Sequence, residues 1–185
     1  DANTTGANNV ALGNNALGAA TIANCNVAIG QGAMGSNTTG TDNCAIGHAA
    51  MGSATNTGSG RNNAFGYEAL QDLTTGTQNG AFGFQAGANL TTGSYNVGVG
   101  RDALYYNTGD SNTAVGTDAL QKNTTGSYNV AVGHAAGYLI TTGTQNTIIG
   151  GLAGDAITTG SRNIAIGYEA LSTEDANGRN VAVGW

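Results

Sequence analysis

The sequence predicts an all-β fold: a parallel β-solenoid, or β-roll, of about ten 17-residue coils forming one array over residues 1–185. Three observations predict it. A short block beginning with Asn and ending with Gly recurs at nearly constant spacing along the whole chain. Within each block, apolar and small residues alternate with a period of two, the signature of a strand. The composition, with 32 Gly, no Pro and 9% charged residues, departs from that of an ordinary globular domain in the direction of a repeat.

The coils start at Asn9, Asn26, Asn43, Asn62, Asn79, Asn96, Asn112, Asn129, Asn146, Asn163 and Asn180, with spacings of 17, 17, 19, 17, 17, 16, 17, 17, 17 and 17 residues. The consensus reads N-[VTI]-A-[VIF]-G-x-x-A-[LMG]-x-x-x-T-T-G-[ST]-x, counted here as positions 1 to 17. Positions 2 to 4 predict a first short strand. A second is expected from position 8 into the Thr-Thr pair, giving two short strands per coil. Position 5 supplies the corner glycines Gly13, Gly30, Gly47, Gly66, Gly83, Gly100, Gly116, Gly133, Gly150, Gly167 and Gly184. Two strands and two turns cannot bury a face alone, so each coil must stack on the next, about 4.8 Å away.

Position 9 is Gly instead of Leu or Met at Gly87, Gly137 and Gly154, and there position 12 becomes Leu90, Ile140 or Ile157. At the other seven repeats position 12 is small or polar, except Leu73, so the same apolar volume comes from either site, as a close-packed interior requires. With about two large apolar side chains per coil the core is thin, and self-association is expected, with three rods side by side. The expected chain–chain contact column is position 3, read as facing outward: Ala11, Ala28, Ala45, Ala64, Ala81, Gly98, Ala114, Ala131, Ala165 and Ala182.

NVAIGQGAMG (26–35), NVAVGHAAG (129–137) and NIAIGYEAL (163–171) resemble the head repeats of YadA-like trimeric autotransporter adhesins. The extended pattern N-T-A-V-G-x-x-A-L-x-x-N-T-T-G resembles repeats of phage tail fibres and other surface fibres. The resemblance runs from Thr4 to Trp185. It implies a left-handed β-roll in a homotrimer, serving as a structural and adhesive segment of an extracellular, cell-surface or virion fibre. These coils are a few residues longer than the autotransporter repeat.

Charge and composition narrow the partners. A net charge of −6, with five scattered Lys and Arg, speaks against nucleic acid. No apolar run approaches the roughly 18–20 residues of a membrane span. GQGAMG (30–35) fits G-x-G-x-x-G only literally, because a dinucleotide site needs that motif between a buried strand and a helix. No triad, CxxC pair or nucleophile elbow occurs, so no enzyme, cofactor or metal is expected. Asp102 and Asp118, at position 7 of adjacent coils, are the one pair that could recruit a cation.

Candidate surface contacts for a receptor or glycan are His48, Tyr67, Phe84, His134, Tyr168 and Trp185 at position 6, with Tyr95 and Tyr128 at position 17. Cys25 and Cys44, one coil apart, are a possible disulfide, with packed free thiols as the alternative. Asn-x-Ser/Thr triplets at Asn3, Asn37, Asn89 and Asn123 fall where the repeat needs Asn-Thr-Thr anyway. Asp1-Ala2 match positions 7 and 8, so tail and head together would make one shortened coil. Head-to-tail stacking, or excision from a longer rod, accounts for that match. A second functional class, an ice-binding solenoid, rests on Thr at position 13 in nine of ten repeats.

Overall fold

The structure, a computed structural model, describes residues 5–55, 60–173 and 177–185. Asp1, Ala2 and Asn3 of the terminal readings lie outside the described residues. Eleven three-residue strands occupy positions 2 to 4 of the repeat, from β1 (Val10–Leu12) and β2 (Val27–Ile29) to β10 (Ile164–Ile166) and β11 (Val181–Val183). They form one parallel sheet in sequence order, and like positions pair throughout: Val10 with Val27, Ala11 with Ala28, Leu12 with Ile29. The 19-residue and 16-residue spacings leave this register intact, because Cys44 still pairs with Asn63 and Val97 with Thr113. Length variation is absorbed outside the strands.

Among the described residues each coil has one strand, not two. Positions 6 to 11 are a run of turns. In the coil from Asn26, Ala33 N–H bonds to Gly30 O, Gly35 N–H to Gly32 O and Asn37 N–H to Met34 O, closing three successive i→i+3 turns. The intervening N–H groups point along the axis, as when Met34 N–H donates to Ala50 O and Ser36 N–H to Gly52 O one coil away. The physical reason is backbone handedness. Positions 7 and 9 adopt positive φ even with side chains, for instance Glu68 at 53°, Leu70 at 50°, Asp102 at 54° and Leu104 at 58°. Extended pairing cannot pass through such residues, whereas a type II turn requires one at its third position.

The facing of the strand is the reverse of the sequence expectation. Ala28, Ala45, Ala64, Ala81, Ala114, Ala131 and Ala165 are fully buried and Gly98 is buried with them, so position 3 lines the interior. At the end coils Ala11 is exposed and Ala182 half-buried. Position 3 is therefore not the chain–chain contact column. The cause is space. Buried Leu, Met or Ile side chains at positions 9 and 12 fill the lumen opposite the strand and leave room for a methyl group. Ile148, the one large residue at position 3, sits where position 9 is Gly154. A Cβ added there would stand 2.9 Å from Ile148 Cδ1 and 3.0 Å from Ile157 Cδ1. Likewise a Cβ at Gly137 would meet Ile140 Cδ1 at 2.9 Å, which explains the exchange of volume between positions 9 and 12.

Two further columns hold the coils in register. Position 5 glycines have φ between 125° and 146°. A Cβ at Gly13 would lie 2.7 Å from the carbonyl oxygen of Gly30, so both conformation and stacking demand glycine. Position 1 is a buried Asn ladder. Asn129 Oδ1 accepts from Asn146 N–H and Nδ2–H, both at 3.0 Å, while Asn129 Nδ2 donates to Gly143 O at 2.8 Å. The short coil interrupts the ladder: Asn112 Nδ2 turns to Asn107 Oδ1 at 3.1 Å. Asn37 and Asn123 are buried too, which removes both from glycosylation.

Candidate functional site

Because position 3 faces inward, positions 2 and 4 face outward, and the sheet presents two parallel rows of side chains to solvent. Position 4 is apolar in all eleven coils, from Leu12 and Ile29 to Ile166 and Val183. Position 2 adds Val10, Val27, Val97, Val130, Ile164 and Val181, so eleven plus six gives seventeen Val, Ile, Leu and Phe residues. In the middle of the array Val130, Val132, Ile149, Ile164 and Ile166 keep 37–39% of their surface exposed. Phe65 and Phe82 of adjacent coils stack in this face, with centroids 5.1 Å apart and planes inclined by 8°. Reading position 3 as outward left these residues on the inner side of the strand by alternation; the coincidence of Ile148 at position 3 with Gly154 at position 9 was the signal that position 3 faces the interior.

The position 6 column lies at the corner beyond the strand. His48, Tyr67 and Phe84 form a continuous stack, with centroids 5.0 and 5.1 Å apart. Tyr168, His134 and Trp185 are exposed in the same column, and Tyr95 and Tyr128 are exposed at position 17. All eight proposed surface residues are therefore on the surface, but only His48, Tyr67 and Phe84 touch one another. A hydrogen bond to Glu68 and the charge of that carboxylate raise the Tyr67 phenol, and Glu169 acts likewise on Tyr168.

Asp102 and Asp118 do not form a cation site. The Arg101 guanidinium occupies the space beside them, with Nη2 3.3 Å from Asp118 Oδ2 and Nε 3.6 Å from Asp102 Oδ2. Among the described residues no group of three or more His, Cys, Asp or Glu could hold a metal ion. Cys25 and Cys44 are free thiols and not a disulfide. Cys25 sits exposed in a left-handed corner, whereas Cys44 points from the strand one coil on, and burial pushes its thiol pKa up. The position 13 hydroxyls bond along the axis to backbone carbonyls, as from Thr108 to Thr124 O at 2.8 Å and from Thr124 to Thr141 O at 3.0 Å. Among the described residues no helix is long and apolar enough to cross a membrane.

The columns define a repetitive β-solenoid whose outward strand rows and corner side chains are available for contact. No family model, curated protein or solved structure matches the chain.

Proposed function

We propose that the chain is a structural segment of a surface fibre in which rods associate side by side through the outward rows at positions 2 and 4. The observation that carries this reading is the position 4 row, outward and apolar in every coil. Fully burying a Val or Ile side chain is worth about 1.5–3 kcal/mol. Covering the 37–39% left open at Val130, Val132, Ile149, Ile164 and Ile166 would then add about 0.6–1.2 kcal/mol per side chain. Exposed apolar strips of such length mark interaction surfaces. Flat, regularly spaced Val and Ile rows suit a second copy of themselves, since identical coil spacing lets the ridges of one rod mesh with those of another. Three rods to a bundle, and an extracellular, cell-surface or virion setting, follow from the resemblance of NVAIGQGAMG and its relatives to trimeric adhesin heads.

Sedimentation equilibrium tests this directly. The expected mass is a multiple of 18.2 kDa, three times for the trimer. Val132→Lys together with Ile166→Lys is expected to give a folded monomer with an unchanged circular dichroism spectrum. A wild-type monomer at tens of micromolar would remove the proposal. The ice-binding alternative gains nothing from the Thr column, because its hydroxyl protons are directed to backbone carbonyls.

A further inference from the structure

A repeat built from equal rungs needs no departures from its consensus, so a cluster of departures in one place calls for a reason other than folding. One such cluster exists. The coil from Asn96 is the 16-residue one and has lost a Thr, reading Asn107-Thr108-Gly109 where the next coil reads Asn123-Thr124-Thr125-Gly126. Immediately before the deletion come Tyr105 and Tyr106, at positions that hold Gly, Ala, Ser, Asp or Asn in many other coils. At these positions the structure opens a cleft of about 170 Å³, lined by Gln85, Asp102, Tyr105, Tyr106, Gln121 and Lys122.

The cleft is built and held. Tyr105 and Tyr106 meet edge to face with centroids 4.6 Å apart. Lys122 Nζ stands 4.9 Å from the Tyr106 ring centre and 5.9 Å from that of Tyr138. Inter-coil bonds fix the walls, with Asn89 N–H donating to Tyr105 O, Tyr106 N–H to Gln121 O and Lys122 N–H to Tyr138 O. The amides of Gln85 and Gln121 are oriented by bonds to Glu68 and Asp118. Asp102 is only 9% exposed, and its buried Oδ1 accepts no hydrogen bond from the protein. A buried acceptor left without a donor is costly, and this carboxylate lines the cleft.

We propose that this cleft binds one neutral saccharide residue. The volume admits a single ring. Hydroxyls would donate to the Asp102 carboxylate and accept from Lys122, whose ammonium the Tyr106 ring holds in place. A cationic ligand fits less well, because the Lys122 ammonium already occupies the aromatic faces and Arg101 sits beside Asp102. The cleft lies at positions 7, 10 and 11, on the turns and not on the strand rows, so the proposal is independent of side-by-side assembly.

The test is an amide ¹H–¹⁵N titration of the whole chain with methyl glycosides of glucose, galactose, mannose, N-acetylglucosamine and N-acetylgalactosamine. The expected result is saturable shifts at Tyr105, Tyr106 and Lys122 with at least one of these sugars. Tyr106→Ala and Asp102→Asn should each weaken that binding at least about tenfold, while Tyr128→Ala, remote from the cleft, leaves it unchanged. Absence of saturable shifts with all five glycosides overturns the proposal. So does binding that persists equally in both cleft variants, or binding of putrescine in place of every sugar. A monomeric rod that binds sugar would sink the assembly reading and leave this one standing.

Discussion

Asn129→Asp tests whether the buried Asn column holds the coils together, because it alters one atom without altering shape. Asn129 is fully buried. As an aspartate it would keep an oxygen for Asn146 N–H and Nδ2–H but turn a second oxygen toward Gly143 O, which Nδ2 approaches at 2.8 Å in the native chain. A carboxylate facing a carbonyl in a fully buried site has a raised pKa. The folded value then exceeds the unfolded ~3.9, so the site's full stability is present below the unfolded value and is lost as pH rises through the folded one. A shift of about three units, within the range for buried carboxyls, corresponds to about 4 kcal/mol lost between pH 4 and 7. Asn129→Ala instead leaves Gly143 O and Asn146 N–H unpaired at every pH, at about 1–3 kcal/mol each. Urea unfolding followed by circular dichroism at pH 4 and 7 separates the cases, with the wild type as reference at each pH and Thr125→Ala as an exposed control. Hydrogen exchange at the Asn146 amide reads the local effect. An Asp variant whose deficit against wild type is the same at both pH values would refute the reasoning, as would an Ala variant within about 0.5 kcal/mol of wild type.

Two further predictions concern the interior and its rim. Ile140→Ala should destabilise by about 2–5 kcal/mol, and Gly137→Leu by about 1–3 kcal/mol through overpacking, since its Cβ would meet Ile140 Cδ1 at 2.9 Å. The double variant recreates the Leu-and-small pairing of other coils and should be at least about 1 kcal/mol more stable than the sum of the singles predicts; additivity in denaturant unfolding would contradict the shared-volume reading. At the rim, burial pushes the Asp155 carboxyl up, opposed by hydrogen bonds from its own and the Ala156 amide, and its Oδ1 has no partner. A raised folded pKa means stability present at low pH and lost as pH rises through that value. Asp155→Asn should therefore narrow the difference in thermal midpoint between pH 4 and 7, and an unchanged difference would count against the assignment.

The period, the coil starts and the placement of every described strand at positions 2 to 4 were legible in the sequence, because Asn at position 1 and Gly at position 5 bracket each strand without exception. Which side of the strand faces in was not. A period of two says that neighbours point opposite ways, not which way. Bulk at positions 2 and 4 suggested the core, whereas the deciding constraint was the filling of the lumen from positions 9 and 12. Nor was the missing second strand legible. Leu, Met, Glu and Gln rarely adopt left-handed backbone, so nothing in Glu68 or Leu70 announces it. The clue lay in the substitutions: Gly32 at position 7, and Gly87, Gly137 and Gly154 at position 9, all with φ between 54° and 68°. The clustering of Asp102, Tyr105, Tyr106 and Lys122 was equally hidden, since it depends on turns bringing positions 7, 10 and 11 of neighbouring coils to one cleft.

These left-handed corners also determine where function can reside. A non-glycine residue in that region costs about 1–2 kcal/mol, and each coil carries such residues at positions 7, 9 and 17 wherever Gly does not stand there. A single coil cannot recover that cost, because its position 7, 9, 11 and 17 N–H groups bond to the coils on either side, as Cys25 does to Ala7 and Leu17 to Ala33. Stability is therefore a property of the interface between coils, a nearest-neighbour array in which each rung is held by the next. What the interface fixes is the backbone, the Asn column, the corner glycines and the lumen. The side chains at positions 2, 4, 6, 10, 11 and 17 remain outside that constraint, and among them two kinds of pattern occur. Position 4 keeps one apolar character over the full length, and position 2 adds Val or Ile in six of the eleven coils, which suits a continuous contact with another rod. Positions 10 and 11 change from coil to coil and reach their most distinctive combination at Tyr105 and Tyr106, which suits a single local ligand.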